Sequence, residues 1–542
     1  MRSPTLTWSD STTLAAIAVA GGLAAFVGMP VLGVFEHDVF FSLANAYRLT
    51  EGQIPHRDFA SAWGPLFFLI QAGGLLLSGM EPRGLAYANA LVGLATALWM
   101  HLTVRARLDG RHVCVMAVYT VLLVAAPFPL GFNPLVFSFA MAYNRYGYAL
   151  LGIILMECGL QAVQRGSGER PGTSHAVSIG AAWALLVFLK VTYALVAVPF
   201  LLMWLWCGGE RRRRLLALFC GFGAVALLLL SYLRFDFADM RHDLADAASG
   251  RGLTWRAWSI LSPAFLIECV PLLLFAAVVT ARMGEDAARR GGMHRVRLWL
   301  FVLLTVGVGG FLLSTNHQAM SLPLDGFAAI ILLDRFGERR AKLDEDQPSR
   351  PLVLLLAALC ILPLTAMNAV SLVAASWEGL HGKAAPAVRV QCDRGASLIF
   401  GPVESSMTSD SGGPAYAQVL NDGLDLIRRR TQPGAGVSTI DMFNPFNYLL
   451  GRPSPRGGMA AAAYNYAFSD TSHPSGERFF GNSQYVLVRK YNRSAQDFPI
   501  EDYHIEGLLR TYRPVLERDF VRVEETPHWI LWSRRQILDS GH

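Results

Sequence analysis

Long apolar runs without charge constrain this chain more than any other feature of its sequence. The first, Leu14 to Phe35, is long enough to cross about 30 Å of hydrocarbon, and others follow at short intervals up to residue 375. Of the 542 residues, 53% are hydrophobic and only 16% are charged. This balance is too apolar for a water-soluble globule of this length. The sequence therefore predicts a polytopic α-helical membrane protein.

The later runs set the expected number of crossings. They cover residues 64–79, 85–104, 113–130, 146–164, 176–207, 214–233, 263–281, 296–314, 318–333 and 351–375. The run 176–207 is too long for one span, so we divide it at Lys190 near its middle. The run 64–79 is short and interrupted by Gly73 and Gly74, and we expect it to pack at the outer face without crossing. About 11–13 crossings result.

Basic connectors indicate how the chain is oriented. Four of them, QRGSGERPGTSH, GGERRRR, RMGEDAARRGGMHRVR and RFGERRAKLDEDQPSR, carry most of the positive charge between apolar runs. Such connectors favour the cytoplasmic side, which explains the net charge of +6 without nucleic-acid binding. We expect a cytoplasmic N-terminus and an extracytoplasmic segment after about residue 376.

The composition changes after Trp377, which divides the chain into a membrane module, residues 1–377, and a C-terminal domain, residues 378–542. SLIF, VSTI, QYVLV and HWILW are predicted strands, and YAQVLNDGLDLIRRR and IEGLLRTY are predicted helices, so we expect a small α/β extracytoplasmic domain. It carries no GxGxxG, phosphate-loop or GxSxG pattern. Six of the seven cysteines lie in apolar runs, which argues against a disulfide framework or a zinc site.

The polar segment after the first apolar run holds two acidic candidates. Glu36 and Asp38 stand where the span should reach the membrane surface, and carboxylates at such a depth are costly unless they have a role. The alternative is that Asp38 caps the following helix and Glu36 is solvated. Apolar residues in 39–49 repeat at i, i+3, i+4 and i+7, which predicts a short amphipathic helix lying on the bilayer.

After this helix come Gly52, a Pro-His-Arg-Asp turn at 55–58 and Gly64-Pro65-Leu66. This order resembles the first extracytoplasmic loop of the GT-C superfamily of membrane glycosyltransferases, specifically the family 39-like members that use polyprenyl-phosphate sugars. Asp38 matches the family's Asp by its spacing to Gly52. The chain departs from the pattern at Val39, where a second acid is common, and at His56, where Tyr is common.

The resemblance covers the first loop well, residues 64–335 loosely, and the C-terminal domain not at all. It implies an inverting glycosyltransferase at the outer face of a bacterial inner membrane, which moves a sugar from a polyprenyl-phosphate donor to a glycan, lipid or protein acceptor. Asp38 is the expected catalytic base, with Glu36 and Asp58 as assisting or acceptor-binding groups. Some GT-C members use a divalent cation and others do not, and this sequence does not decide between them.

Cationic groups near span ends are candidates for binding the donor phosphate. Lys190 lies within an apolar run, where a lysine costs a few kcal/mol unless it is paired or snorkels to the surface. Its Lys-x-Thr-Tyr context is similar to that of the family. Arg145, beside Asn144 at the outer start of a span, is either a phosphate ligand or an anchor in an aromatic belt.

Two further loop residues have a functional and a structural interpretation. Arg57 binds phosphate or forms a surface pair with Asp58. His317, in a very short outer turn, is either a ligand or structural. The four aspartates at 236, 239, 243 and 246, with His242, could suggest a metal, but their pattern favours a charged interfacial helix and lacks a metal-specific spacing.

Two other functions fit many membrane spans. A flippase or transporter for lipid-linked sugars would also permit a lysine within the membrane, although the sequence shows neither repeated halves nor a matched pair of broken helices. A non-catalytic polysaccharide-assembly protein, whose soluble domain binds glycan, is the third possibility.

Overall fold

The computed structural model describes residues 8–28, 30, 32–33, 35, 37–163, 172–250, 262–282, 293–316, 318–340, 350–381, 388–394, 398–401, 414–490 and 500–535. Two residues with predicted roles, Glu36 and His317, lie outside this set.

Helices make up the membrane part. They are α1 (Trp8–Phe26), α2 (Asp38–Thr50), α3 (Pro65–Leu77), α4 (Gly84–Val104), α5 (Gly110–Ala125), α6 (Ala142–Val163), α7 (Thr173–Leu189), α8 (Val191–Cys207), α9 (Arg211–Tyr232), α10 (Phe237–Gly250), α11 (Pro263–Arg282), α12 (Met293–Thr315), α13 (Pro323–Arg340) and α14 (Arg350–His381). Within the described residues, six helices are long and apolar enough to cross a membrane by length and composition, namely α4, α6, α9, α11, α12 and α14. Helix α6 is buried along its whole length and forms the centre of the bundle.

The two ends of the bundle carry different polar groups. At one end, Arg107 pairs with the buried Glu157, with 2.6 Å between Nη2 and Oε1, and His175 lies 2.9 Å from the same carboxylate. His112 and Asp334 meet there as well, 2.8 Å apart. At the opposite end lie the first loop, the turn between α7 and α8, and the C-terminal domain. We call this second end the domain face.

Eleven described helices pack together in the bundle: α1, α4 to α9, and α11 to α14. Helix α3 does not cross. The Gly64 amide before it donates to Leu189 O at 3.2 Å, and Met80 O after it accepts from the Tyr448 hydroxyl of the C-terminal domain at 2.9 Å. Both ends of α3 therefore lie at the domain face. Its 13 residues span only about 20 Å, as predicted for the interrupted run 64–79.

The division of the run 176–207 at Lys190 is confirmed. Lys190 has extended backbone angles, φ −161° and ψ 112°, and separates α7 from α8. The two helices form a hairpin, since the Trp183 indole N–H donates to Ala194 O across the turn at 3.1 Å. Lys190 therefore stands at the domain face and not at mid-membrane depth.

The C-terminal domain is the predicted small α/β unit. Its elements are β1 (Val388–Arg389), β2 (Ile399–Phe400), α15 (Pro414–Arg430), β3 (Val437–Ile440), α16 (Phe446–Leu450), α17 (Gly476–Phe480), β4 (Tyr485–Arg489), α18 (Ile500–Asp519), β5 (Phe520–Glu525) and β6 (Trp529–Arg534). One sheet has the order β3-β4-β6-β5, with β3 and β4 parallel and the other pairs antiparallel. Strand β5 was not predicted, because its charged FVRVEE segment lacks a clear apolar alternation.

The expectation that the helix after Asp38 lies on the bilayer is wrong. Helix α2 is enclosed between the membrane helices and the C-terminal domain, and its polar residues Ser42 and Asn45 are both 3% exposed. Asn45 donates to Ala460 O at 2.8 Å, and Arg48 donates to Gly457 O at 2.6 Å. The polar face of α2 thus finds partners in the C-terminal domain instead of water or lipid headgroups.

The contact between the first loop and the Lys190 turn depends on a glycine. A Cβ atom at Gly64 would lie 1.9 Å from Phe188 O, so Gly64→Ala should push the loop off the turn. Overpacking of this kind costs about 1–3 kcal/mol, and we expect a lower melting temperature in detergent. Gly73→Ala is the control, because a Cβ there meets nothing within 4 Å and a helical Gly→Ala change should stabilise by about 0.5–1 kcal/mol. Equal melting temperatures for the two variants would contradict the close approach.

Candidate active site

Asp38 is the first residue of α2, at the domain face. The N-cap position belongs to His37, so the alternative that Asp38 caps the helix is wrong. The Asp38 backbone N–H donates to Phe35 O at 3.0 Å, and its carboxylate lies 3.6 Å from His37 Nε2. The side chain is 21% exposed. A carboxylate in the first helical turn is stabilised by the helix dipole and here stays accessible to a substrate.

Aromatic side chains form a wall beside Asp38. Phe41, one turn further along α2, has its ring centre 5.9 Å from that of Tyr143 and 6.1 Å from that of Phe443. Trp63 adds a contact to Tyr143 at 5.8 Å. The His37 imidazole stacks on Phe443 at 5.7 Å. Membrane helices, first loop and C-terminal domain all contribute to this wall.

Lys190 contacts Tyr143, with its ammonium nitrogen 4.8 Å from the ring centre. The side chain of Lys190 is buried, and its ammonium donates to the amide oxygens of Asn144 at 3.2 Å and Asn316 at 2.6 Å. The Tyr193 hydroxyl accepts from Asn316 at 3.0 Å and donates to the backbone carbonyl of Asn144 at 3.2 Å. The sequence-predicted pair Asn144 and Lys190 is therefore brought together.

Arg145 has a different environment from its neighbour Asn144. Its guanidinium is buried and donates to Leu123 O at 2.6 Å, to Phe128 O at 3.0 Å and to the Asn368 side chain at 2.9 Å. The side chain thus connects α6 to the end of α5, the segment after it and α14. These contacts hold the bundle together at the domain face.

Arg57 and Asp58 pair with each other beside the C-terminal domain, with 2.8 Å between Arg57 Nη2 and Asp58 Oδ2. The same carboxylate accepts the Ile54 backbone N–H at 2.8 Å, and Arg456 approaches it at 3.8 Å. Burial by itself raises the pKa of Asp58, but the hydrogen bonds from Arg57 and Ile54 and the charges of Arg57 and Arg456 outweigh it and hold the pKa below its usual value.

The acidic segment after α9 forms helix α10, as its pattern predicted, but α10 packs on the protein. Asp243 is buried, lying 3.0 Å from His56 Nδ1 and 3.1 Å from Arg478 of the C-terminal domain, and it accepts the Ser61 backbone N–H at 2.9 Å. Asp246 accepts from Ser472. Among the described side chains, no group of three or more His, Cys, Asp and Glu could hold a metal ion.

Residues of this region that were not found from the sequence include Asn316, beside Lys190, and Phe443, which reaches His37 from the C-terminal domain. Tyr193 completes the surroundings of Lys190 and belongs to the Lys-x-Thr-Tyr segment noted in the sequence. Asn316 adjoins the short turn that contained the predicted His317, so its neighbourhood was a signal. No sequence signal pointed to Phe443, because its contact with His37 joins positions about 400 residues apart.

Comparisons with known proteins give a similarity of overall arrangement. No protein-family model and no curated protein match the sequence. A crystal structure of ArnT from Cupriavidus metallidurans bound to undecaprenyl phosphate is similar over 96% of this chain and 97% of that one, with 12% identity and a TM-score of 0.48. The apo structure of the same protein is similar over 97% and 98%, with 12% identity and a TM-score of 0.45. A likeness of this degree carries no conclusion about donor, acceptor or reaction.

The lowered pKa of Asp58 makes the contact between the first loop and the C-terminal domain sensitive to acid. Because the folded-state pKa lies below the unfolded value of about 3.9, the carboxylate stabilises the fold above that value and loses this effect as the pH falls through the folded-state pKa. We expect Asp58→Asn to lower the melting temperature at pH 7 and to weaken its further fall toward pH 3. Parallel pH profiles of variant and wild type would contradict this role.

Proposed function

We propose that this chain is a GT-C-type glycosyltransferase that moves a sugar from a polyprenyl-phosphate donor to an extracytoplasmic acceptor, with inversion at the anomeric carbon. The observation that carries the proposal is that Asp38 and Lys190 lie at the same end of the bundle, linked through the contacts of Phe41 with Tyr143 and of Tyr143 with Lys190. Transfer from a lipid phosphate needs a base for the acceptor proton and a cation for the departing phosphate. A carboxylate and a buried lysine on the same face can supply both.

In the proposed reaction, an acceptor hydroxyl oxygen attacks the anomeric carbon of the donor sugar. Asp38 takes the proton of that hydroxyl. The bond from the anomeric carbon to the phosphate oxygen breaks, and the polyprenyl phosphate leaves with the electron pair. Lys190 stabilises the charge on this phosphate. Its partners Asn144 and Asn316 are neutral amides. A phosphate oxygen would take the place of one of these amide oxygens on the Lys190 ammonium.

The remaining predicted residues have supporting roles in this proposal. Asp58 and Arg57 hold the first loop against the C-terminal domain and border the acceptor side. Arg145 supports the donor side through the segments it connects. Glu36 and His317 keep the assisting and ligand roles that the sequence suggested.

The membrane placement follows from the same reaction. We propose that the domain face is extracytoplasmic and that the N-terminus is cytoplasmic, in the inner membrane of a bacterium. An odd number of crossings, about 11–13 as the sequence predicts, would put the two termini of the membrane module on opposite sides. The donor's lipid tail can then remain in the bilayer while its phosphate reaches Lys190.

Lys190→Met tests the donor side. The change keeps the length and apolar character of the side chain and removes its charge, and a lost charged hydrogen bond costs about 1.5–3 kcal/mol. We therefore expect the Kd for undecaprenyl phosphate, measured by equilibrium binding in detergent, to rise about 10- to 100-fold. Arg105→Met, an exposed cation at the other end of the bundle, is the control and should bind like wild type. Unchanged affinity in Lys190→Met would remove this residue from the site.

Asp38→Asn tests the base. The substitution is nearly isosteric but cannot accept a proton, so transfer from a labelled polyprenyl-phosphate sugar should fall about 10²- to 10⁴-fold while undecaprenyl-phosphate binding is retained. Glu51→Gln removes an exposed carboxylate just after the other end of α2 and should leave the rate within about twofold.

Two results would change the assignment. An active Asp38→Asn together with an inactive Glu36→Gln would make Glu36 the base. Full activity of both variants would end the glycosyltransferase proposal and favour a flippase.

A further inference from the structure

A polar cleft lies between α2 and the C-terminal domain. On the side of the C-terminal domain it is lined by the loop that follows β3, residues 441–444, which we call the DMFN loop. On the other side it is lined by one face of α2, including Asn45 and Arg48. The enclosed space is about 40 Å³, compared with about 10–15 Å³ for one water. It therefore holds a small polar group, such as the hydroxyl edge of one sugar ring.

The position of the DMFN loop in its own domain is typical of a ligand site. Strands β3 and β4 are parallel, and the loop leaves the carboxyl end of β3. In open α/β sheets, ligands bind in the crevice beyond the carboxyl ends of such strands. Arg489, the last residue of β4, meets Asp441 there at 3.5 Å. The crevice faces the first loop of the membrane module.

A hydrogen bond anchors Asn444 of the DMFN loop but leaves one acceptor available. Asn444 donates through its amide nitrogen to Val437 O at 2.7 Å. The residue lines the cleft, and its amide oxygen is buried and has no hydrogen-bond partner among the described residues. A buried unsatisfied acceptor costs about 1–3 kcal/mol unless a ligand or water bonds to it. A hydroxyl hydrogen is the donor that fits such a neutral acceptor.

The cleft is aligned with the proposed base. Asp38 and Asn45 are seven residues apart on one face of α2, which is about 10 Å along the helix axis. Phe443 of the DMFN loop closes the near end of the cleft by stacking on His37. The separation of Asp38 and Asn45 along α2 is greater than the distance between a reacting hydroxyl and a neighbouring atom of the same sugar ring. This separation suits a second ring of a glycan chain.

Resting on the proposed function, we propose that this cleft is an acceptor subsite that binds a hydroxyl-rich sugar unit next to the unit that is glycosylated. The C-terminal domain would then select a glycan acceptor. The Asn444 amide oxygen accepts a hydrogen bond from a hydroxyl of that unit, and Asn45 and the DMFN loop shape the walls. In the proposed function the donor phosphate binds at Lys190.

Two variants test the subsite. Asn444→Ala removes the amide oxygen, and Ala44→Leu fills the cleft from α2 without removing a polar contact. We expect each to raise the KM for a disaccharide methyl glycoside acceptor about five- to tenfold, Asn444→Ala through the loss of one hydrogen bond and Ala44→Leu through the loss of space for the sugar. The KM for the matching monosaccharide should change little. The KM for the donor should stay the same. Asn421→Ala is the control, since Asn421 bonds Gln391 and Arg389 elsewhere in the same domain.

Direct binding separates this inference from the proposed function. Saturation-transfer NMR of the full chain in detergent, with the same methyl glycosides, reports sugar binding without turnover. Disaccharide signals that disappear in Ala44→Leu and persist in Asn421→Ala support the subsite even if no transfer is detected. The proposed subsite would be overturned if disaccharide binding and the KM for the disaccharide were equal in Ala44→Leu, Asn444→Ala and wild type. This would hold even if Asp38 proves to be the base.

Discussion

The polar face of α2 has to be satisfied away from water, and the region around the candidate site depends on how this is done. Asn45 and Arg48 are directed at backbone carbonyls of the segment 455–460, and Arg48 also lies 4.1 Å above the Phe59 ring. Burial lowers the pKa of Arg48 to about 9. Without the C-terminal domain these groups would lose their partners, so first loop and domain form one structural unit.

The membrane module solves a similar problem at Lys190. A lysine in an apolar run is tolerated at a tight turn, where Asn144 and Asn316 offer amide oxygens and Tyr143 offers a ring face. Gly64 lets the first loop approach this turn more closely than any residue with a Cβ could. The same close packing that lowers the cost of burying the charge also joins the Lys190 turn to the first loop.

The aromatic residues near Asp38 come from different parts of the chain. Tyr143, which contacts Lys190, belongs to the membrane helices, whereas Phe443, which stacks on His37, belongs to the C-terminal domain. In the proposed reaction, the lipid-linked donor arrives from the bilayer and a glycan acceptor arrives from outside.

The sequence by itself determined the membrane module, the break at Lys190, the short α3 and most strands of the C-terminal domain, because each follows from local hydrophobic periodicity or from a charge within an apolar run. It also singled out Asp38 and Lys190, since charges at membrane depth are costly. Only the tertiary structure decided that α2 is covered by protein, that Arg145 bonds neighbouring segments, and that Asn316 and Phe443 belong near the site. These features depend on contacts between positions far apart in the chain, for which a single sequence contains no local signal.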